Sequence, residues 1–174
     1  AQDGGVLPVP TLSGHVIDQT NTLDATQRQA LDDKLSAFER ERGTQLVVLM
    51  VPTTQPEDIA AYAQRVGDAW KIGRREVGDG LLLVVALNDR RVRIEVAKAL
   101  EGAVPDLAAS RIIEGAITPA FRRGDVHAGI DAGVDQLMAR VRGENLPLPE
   151  PGGQRSPPGA QLEDLVVFGL IGVP

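Results

Sequence analysis

Residues 78–106 carry the sequence GDGLLLVVALNDRRVRIEVAKALEGAVPD, and this stretch predicts a β-hairpin around which the other elements are arranged. Within it, residues 81–87 form an apolar run without polar alternation, a pattern typical of a strand buried on both faces. The polar residues 88–91 predict a four-residue turn, because asparagine and aspartate hydrogen-bond their own backbone. From Val92 to Val96, apolar and charged residues alternate, which predicts a strand with one face toward solvent.

The predicted hairpin brings acidic side chains to one end of the sheet. If Leu87 faces Val92 across the turn, antiparallel pairing delivers Asp79 and Glu101 to the same rim, where Asp106 can join them. Carboxylates this close together repel each other unless a cation neutralises them. Ligands that are all oxygen suit calcium or magnesium rather than a soft metal. The stretch therefore predicts a divalent-cation site at this rim.

Composition limits the classes of function. The 174 residues suit a single folded domain, and a net charge of −6 argues against nucleic-acid binding, which requires a basic face. The chain has no cysteine, which excludes disulfides and zinc–thiolate sites and suits an oxidising compartment. His15 and His127 lack metal-ligand spacing, and no G-x-S-x-G motif is present.

Both ends of the chain differ in composition from its centre. Residues 1–14 are predicted to be a flexible segment, which is either the mature end left by signal-peptide cleavage or an arbitrary boundary. Residues 144–164 form a linker rich in proline and glycine. The apolar tail 165–174 has about half of the roughly 20 residues that span a bilayer. It is either the start of a truncated transmembrane helix or a short apolar tail.

The central residues 15–143 are predicted to form an α/β domain. Capping residues, glycines and apolar periodicity predict a strand at residues 15–17 and a helix from Asp24 to Gly43. They also predict a strand at residues 45–51, a helix from Pro56 to Gly73, and, after the hairpin, helices at about residues 105–116 and from Asp125, separated by Pro119. This order predicts a small mixed β-sheet of about four strands sandwiched between helices on both faces.

The sequence resembles the TPM domain over about residues 9–142. The resemblance rests on five motifs in order: V-x-D at residues 16–18, W-x-I-G at 70–73, DG followed by LLLVVA at 79–86, DRRVRIEV at 89–96, and L-E-G-x-x-P-D at 100–106. That family includes a thylakoid-lumen acid phosphatase, photosystem-repair proteins, bacterial exported proteins and a receptor auxiliary subunit of animal membranes. The resemblance implies a helix–sheet–helix sandwich.

The resemblance also implies a cellular setting. Bacterial members of the family typically have a signal peptide, this domain, a linker and then a transmembrane helix. We therefore expect a periplasmic or other extracytoplasmic domain, anchored to the inner membrane through the helix that begins at residues 165–174.

The resemblance implies calcium binding, because family members are described as binding calcium. Magnesium is the alternative ion for this chain. Carried onto this chain, the acidic positions are Asp18, Asp79, Glu101 and Asp106. The usual G-x-G-L-E pattern is replaced by AKALE at residues 97–101. Two glycines have become alanines with a lysine between them, and we expect this cation to compete with a metal for the carboxylates.

Each acidic residue also has a structural interpretation. Asp18 could cap the turn before the first helix, and Asp79 could take part in a turn at the entrance to its strand. Asp106 could cap a helix, and Glu101 could pair with Lys98. The position of Asp18 depends on strand direction. If the first strand runs parallel to the second, Asp18 lies near Asp89 rather than at the hairpin rim.

Two functions are consistent with the sequence. The first is an extracytoplasmic, membrane-tethered, cation-binding interaction module that assists the assembly, repair or regulation of a membrane protein complex. The alternative is a metal-dependent acid phosphatase, in which Lys71, Arg74 and Arg75 hold the anionic ester beside the metal. The alternative interpretation of these three cations is that they are solvated residues at the end of a helix, where the helix dipole favours positive charge. We favour the interaction module, because no nucleophile or general base with an evident partner can be named.

Overall fold

The structure is a computed structural model that describes residues 6–143 of the chain. As the sequence predicts, strands and helices alternate at first, and the hairpin and then helices follow. The strands and helices are β1 (Val16–Asp18), α1 (Ala25–Arg42), β2 (Gln45–Val51), α2 (Ile59–Trp70), β3 (Gly80–Ala86), β4 (Arg91–Val96), α3 (Asp106–Ile112), α4 (Thr118–Arg122) and α5 (Val126–Arg142). A 3-10 turn, Lys98–Leu100, follows β4, and a π-helical segment, Ile113–Ile117, joins α3 to α4.

The four strands form one mixed sheet in the order β1-β2-β3-β4, which confirms the predicted fold class. The first three strands are parallel and β4 is antiparallel to β3. Helix α1 packs on one face with α5, and α2 packs on the other. Both parallel connections move in the same direction across the sheet while their helices lie on opposite faces. The two crossovers therefore have opposite hands, and one of them is the uncommon left-handed type.

The apolar runs of the sequence are explained by cover on both faces of the sheet. In β2, Leu46, Val48 and Met50 point into the core shared with α1 and α5, whereas the alternate side chains point toward α2. Every residue of β3 is buried in the same way. A strand that is buried on both sides has no solvent face to encode, so its sequence shows no alternation.

The hairpin forms, but its predicted register is wrong. Val85, not Leu87, faces Val92, and Leu81 faces Val96. The turn occupies residues 87–90, one residue earlier than predicted, with Arg90 in the left-handed region at φ 55°. Because the pairing differs from the predicted register by two residues, which is one full period of a strand, the inward and outward faces of both strands are preserved.

The ends of α1 are as predicted, whereas those of α2 are not. Asp24 and Gln27 form the capping box of α1, and Gly43 ends that helix with φ 82°. Helix α2 does not begin at Pro56, because the Asp58 carboxylate accepts hydrogen bonds from the backbone N–H groups of residues 60 and 61 and caps the helix there. It ends before Lys71, which adopts φ 52°, rather than at Gly73.

Pro119 does not interrupt the helical segment as predicted. The chain passes from α3 through the π-helical segment into α4, where proline occupies the first turn. Proline has no N–H to donate, and in the first turn of a helix that N–H has no partner within the helix. The wider π turn before it lets the helical path continue.

Part of the N-terminal segment is packed rather than flexible. Residues 6–14 form no helix or strand before β1, yet Leu7, Val9 and Leu12 pack against the core cluster of α2. The Trp70 indole N–H donates to the carbonyl oxygen of Pro10 at 2.8 Å. These three apolar side chains and this hydrogen bond hold the segment against the core cluster of α2.

Within residues 6–143, no helix combines the length and the apolar character needed to cross a bilayer. The predicted linker 144–164 and the apolar tail 165–174 lie outside the described residues.

Candidate functional site

Asp79, the first predicted metal ligand, is fully buried and engaged by an arginine. Its side chain is 0% exposed. One carboxylate oxygen accepts from the Nε and Nη2 groups of Arg74 at 3.0 and 2.7 Å, and the other accepts from the backbone N–H of Arg74 at 2.9 Å. Thr44 Oγ1 lies 3.4 Å from the carboxylate and also donates to it. Asp79 therefore has a cationic partner and holds the loop before β3 in place.

Two glycines make this ion pair possible. Gly43 carries φ 82°, and a Cβ atom there would meet the guanidinium of Arg74. Gly73 carries φ 99°, and a Cβ atom there would meet the backbone of Asp79 and Gly80. Both positions combine a left-handed backbone with a close approach, so both require glycine. The glycines were interpreted from the sequence as helix ends, and their role in the ion pair was missed.

The predicted basic patch is not a set of three available cations. Arg74 pairs with Asp79 and also donates to the carbonyl oxygen of Arg42 at 3.3 Å. Lys71 and Arg75 are exposed. The Arg74 guanidinium is engaged by Asp79, and its predicted contact with a bound anion stays a prediction.

Glu101 and Asp106 follow the 3-10 turn after β4, and both are exposed. The backbone N–H of Ala99 donates to the carbonyl oxygen of Gly78 at 3.3 Å, which ties the 3-10 turn to the loop before β3. Asp106 is the first residue of α3, where the helix dipole favours a negative charge, but its side chain makes no capping hydrogen bond. No side-chain hydrogen bond therefore supports the capping alternative for Asp106, and its role as a metal ligand stays a prediction.

Asp18 and Asp79 lie at opposite ends of the parallel strands. Strand β1 pairs in parallel with β2, so Asp18, at the carboxyl end of β1, is opposite Met50 near the carboxyl end of β2. Its oxygens accept from the backbone N–H groups of Thr20 and Leu23, both at 2.9 Å. Asp18 therefore caps a turn and does not join Asp79, because β1 delivers it to the far rim.

Asp89, in the hairpin turn, lies at the same end of the parallel strands as Asp18. Its carboxylate accepts from the Thr53 hydroxyl at 2.8 Å and from the Thr54 backbone N–H at 3.0 Å. The hairpin turn is thereby fastened to the loop that follows β2. This contact goes beyond the turn-forming role that the sequence suggested for Asp89.

The four predicted ligands do not converge on one point in the described residues. Calcium takes six to eight oxygen ligands in proteins. Asp18 lies at the other end of the parallel strands, and both carboxylate oxygens of Asp79 accept hydrogen bonds from Arg74. Nowhere in residues 6–143 do three or more acidic, histidine or cysteine side chains converge as metal ligands would. The residues in this arrangement do not fit the ion, and the calcium site stays a prediction.

A groove between the hairpin turn and helices α4 and α5 is the other candidate site. Its volume is about 540 Å³, which is within the size range of ligand pockets. Half-buried apolar side chains form its floor, and three exposed arginines stand around it. The floor comprises Leu87, Val92, Phe121 and Val126, and the cations are Arg90, Arg91 and Arg122.

The groove arginines are available for a partner. Among the described residues, Arg90, Arg91 and Arg122 make no ion pair or side-chain hydrogen bond, in contrast to Arg65, Arg74, Arg93 and Arg142. In a chain with a net charge of −6, three unpaired guanidinium groups around one groove form a local region of opposite sign. No local sequence signal indicates this groove, because Phe121 and Arg122 are about thirty residues away from the hairpin turn along the chain.

Comparisons with known proteins agree with this fold. The N-terminal domain of a P. gingivalis protein is 28% identical, with a TM-score of 0.71 over 78% of this chain and 89% of that domain. BA42 of Bizionia argentinensis is 20% identical, with a TM-score of 0.65 over 80% of this chain and 94% of that protein. The N-terminal domain of cg2496 from Corynebacterium glutamicum is 14% identical, with a TM-score of 0.60 over 80% of this chain and 89% of that domain. No curated protein matches the chain. The model of the TPM domain matches residues 16–140, and the protein therefore belongs to the TPM domain family.

Proposed function

We propose that this protein is an extracytoplasmic, membrane-tethered interaction module that docks a protein partner in the groove between its hairpin turn and helices α4 and α5. The observation that carries the proposal is the set of unpaired arginines, Arg90, Arg91 and Arg122, around an apolar floor. Aromatic residues and arginine are the side chains most enriched in protein interfaces. Phe121 and the three arginines supply both kinds of contact.

The state of Asp79 supports a binding role over hydrolysis. A metal-dependent phosphatase needs carboxylates free to hold the ion and cations free to hold the ester. Here Asp79 and Arg74 neutralise each other inside the protein at 2.7 Å. The pair stabilises the loop before β3, and each group already has a partner of opposite charge.

The membrane setting rests on the family. The family resemblance implies a domain outside the cytoplasm, followed by a linker and a transmembrane helix. The composition of residues 144–174 is of the same kind, with a segment rich in proline and glycine followed by apolar residues. A tethered module of this type would assist the assembly, repair or regulation of a membrane protein complex.

Site-specific cross-linking tests the proposed docking groove. A photo-reactive amino acid replaces Thr118, which lines the groove, in the full-length protein in its native membranes. We expect one dominant protein adduct that disappears when Arg90, Arg91 and Arg122 are all changed to glutamine. The matched control places the same amino acid at Arg75, which is exposed at the other end of the sheet.

Two results would overturn the proposal. One is an adduct at Thr118 that persists in the triple variant or is equally strong from position 75. The other is chelator-sensitive hydrolysis of an aryl phosphate that Asp79→Asn abolishes, since this outcome would establish the phosphatase instead.

A further inference from the structure

The outer edge of β4 carries unpaired backbone groups. Strand β4 is last in the sheet order, and no other strand of the described residues pairs with it on its outer side. The backbone N–H of Ala97 donates to the carbonyl oxygen of Gly80 at 3.0 Å. These two residues are therefore a hydrogen-bonded pair, and every second residue of β4 before Ala97 pairs with β3 in the same way. In an antiparallel pair, alternate residues turn their N–H and C=O groups away from the partner. On β4 these are Val92, Ile94 and Val96.

This edge begins at the groove. Arg91 and Val92 belong both to β4 and to the groove lining, so the unpaired backbone and the unpaired arginines are adjacent. The charge is confined to the turn end of the strand. Farther along, the Arg93 guanidinium pairs with Glu95 at 3.2 Å, and that part of the edge is locally neutral.

We propose that the partner enters as an extended segment that adds a strand to the outer edge of β4 and places acidic residues at the hairpin-turn end. This inference rests on the proposed function and names the chemistry of its partner. Main-chain hydrogen bonds to Val92, Ile94 and Val96 supply sequence-independent affinity, and the groove selects the side chains. Three guanidinium groups select carboxylates, with which arginine forms charge-assisted and often bidentate hydrogen bonds.

The dimensions of the edge define the segment. Six residues of β4 span about 20 Å, which accommodates five or six residues of an added strand. Alternate side chains of that strand point toward the helical face on which Val92, Phe121 and Val126 lie, so apolar residues are expected there. The expected segment therefore alternates aliphatic and polar residues and carries a cluster of aspartate or glutamate at one end.

Peptide binding tests the chemistry. The probes are labelled peptides in which valine and threonine alternate, with aspartates at the amino or the carboxyl end, and neutral versions in which asparagine replaces aspartate. Fluorescence anisotropy with the 174-residue chain is expected to detect one acidic orientation, with binding weakened by salt. The R90Q/R91Q/R122Q variant should bind about tenfold more weakly, since each exposed ion pair contributes modestly.

A matched variant controls for net charge. R75Q/K98Q/R111Q removes the same charge from exposed residues that lie outside the groove, and it should bind like the wild type. Equal thermal unfolding of both triple variants excludes misfolding as the cause, because glutamine tolerates the left-handed backbone of residue 90 as arginine does. Equal weakening by both variants would overturn the groove assignment.

Hydrogen exchange tests strand addition itself. The amides of Val92, Ile94 and Val96 should gain protection with the acidic peptide, while those of Arg93 and Glu95, already within the sheet, should not change. Binding without this protection would overturn the added strand but leave the groove as the docking site.

The remaining outcomes separate this inference from the proposed function. If no acidic peptide binds while Thr118 still gives an arginine-dependent adduct in membranes, the partner chemistry is wrong and the docking groove stands. If vesicles containing an anionic phospholipid bind the wild type, but not R90Q/R91Q/R122Q, and acidic peptides do not, the arginines recognise a lipid surface and the inference is overturned.

Discussion

Replacing Arg74 by methionine is expected to lower the free energy of unfolding by about 3–5 kcal/mol, because removal of one partner leaves a buried charge uncompensated. The charge left behind is the carboxylate of Asp79, which is 0% exposed and would keep only the Thr44 hydroxyl and a backbone N–H as donors. Methionine retains much of the aliphatic volume of arginine, so the loss is mainly electrostatic. Urea denaturation of the 174-residue chain measures it.

A double-mutant cycle assigns that loss to the pair. The variant R74M/D79N removes both charges and should be more stable than R74M alone, since no uncompensated anion remains. Arg75→Met is the control for the adjacent exposed arginine and should change stability by no more than about 0.5 kcal/mol. The account fails if R74M and R75M have the same small effect.

Replacing Gly73 by alanine is expected to lower the free energy of unfolding by about 2–5 kcal/mol, through two additive causes. At φ 99° a side chain is strained, which costs about 1–2 kcal/mol. The added Cβ would also lie within 3.0 Å of backbone atoms of Asp79 and Gly80, and overpacking of this kind costs about 1–3 kcal/mol. Displacing that backbone would also move Asp79 away from Arg74.

The same loop provides the control for this prediction. Gly78 has φ 74°, but a Cβ atom there would meet nothing within 4 Å. Gly78→Ala therefore retains the backbone strain and lacks the collision, and we expect it to cost only about 1–2 kcal/mol. If thermal or urea unfolding finds the two alanine variants equally destabilised, the loop does not pack as closely as the structure indicates.

The sheet and most helices could be predicted from the sequence, because their signals are local. Asp24 and Gln27 specify the start of α1, and Gly43 specifies its end. The two fully apolar strands specify a sheet covered on both faces. The direction of β1 has no local signal, because a strand of three residues can pair either way. The position of Asp18 depended on that direction.

The candidate site could be predicted only in part, because its interactions link residues through the tertiary structure. The sequence singled out both Arg74 and Asp79 but assigned them to an anion and a metal, since nothing in the pattern indicates that a guanidinium turns inward. The glycine at position 73 and the close packing of the loop produce that turn. The basic groove was missed for the same reason, because Phe121 and Arg122 meet the hairpin only in the folded chain.

A calcium titration followed by nuclear magnetic resonance tests most directly whether Asp79 belongs to Arg74 or to a metal. The account predicts that the Arg74 Nε–H resonance and the Asp79 backbone amide stay unchanged up to about 10 mM calcium, which is above the dissociation constants of typical extracellular calcium modules. Saturable shifts at Asp79, Glu101 and Asp106, together with loss of the protected Arg74 resonance, would contradict it.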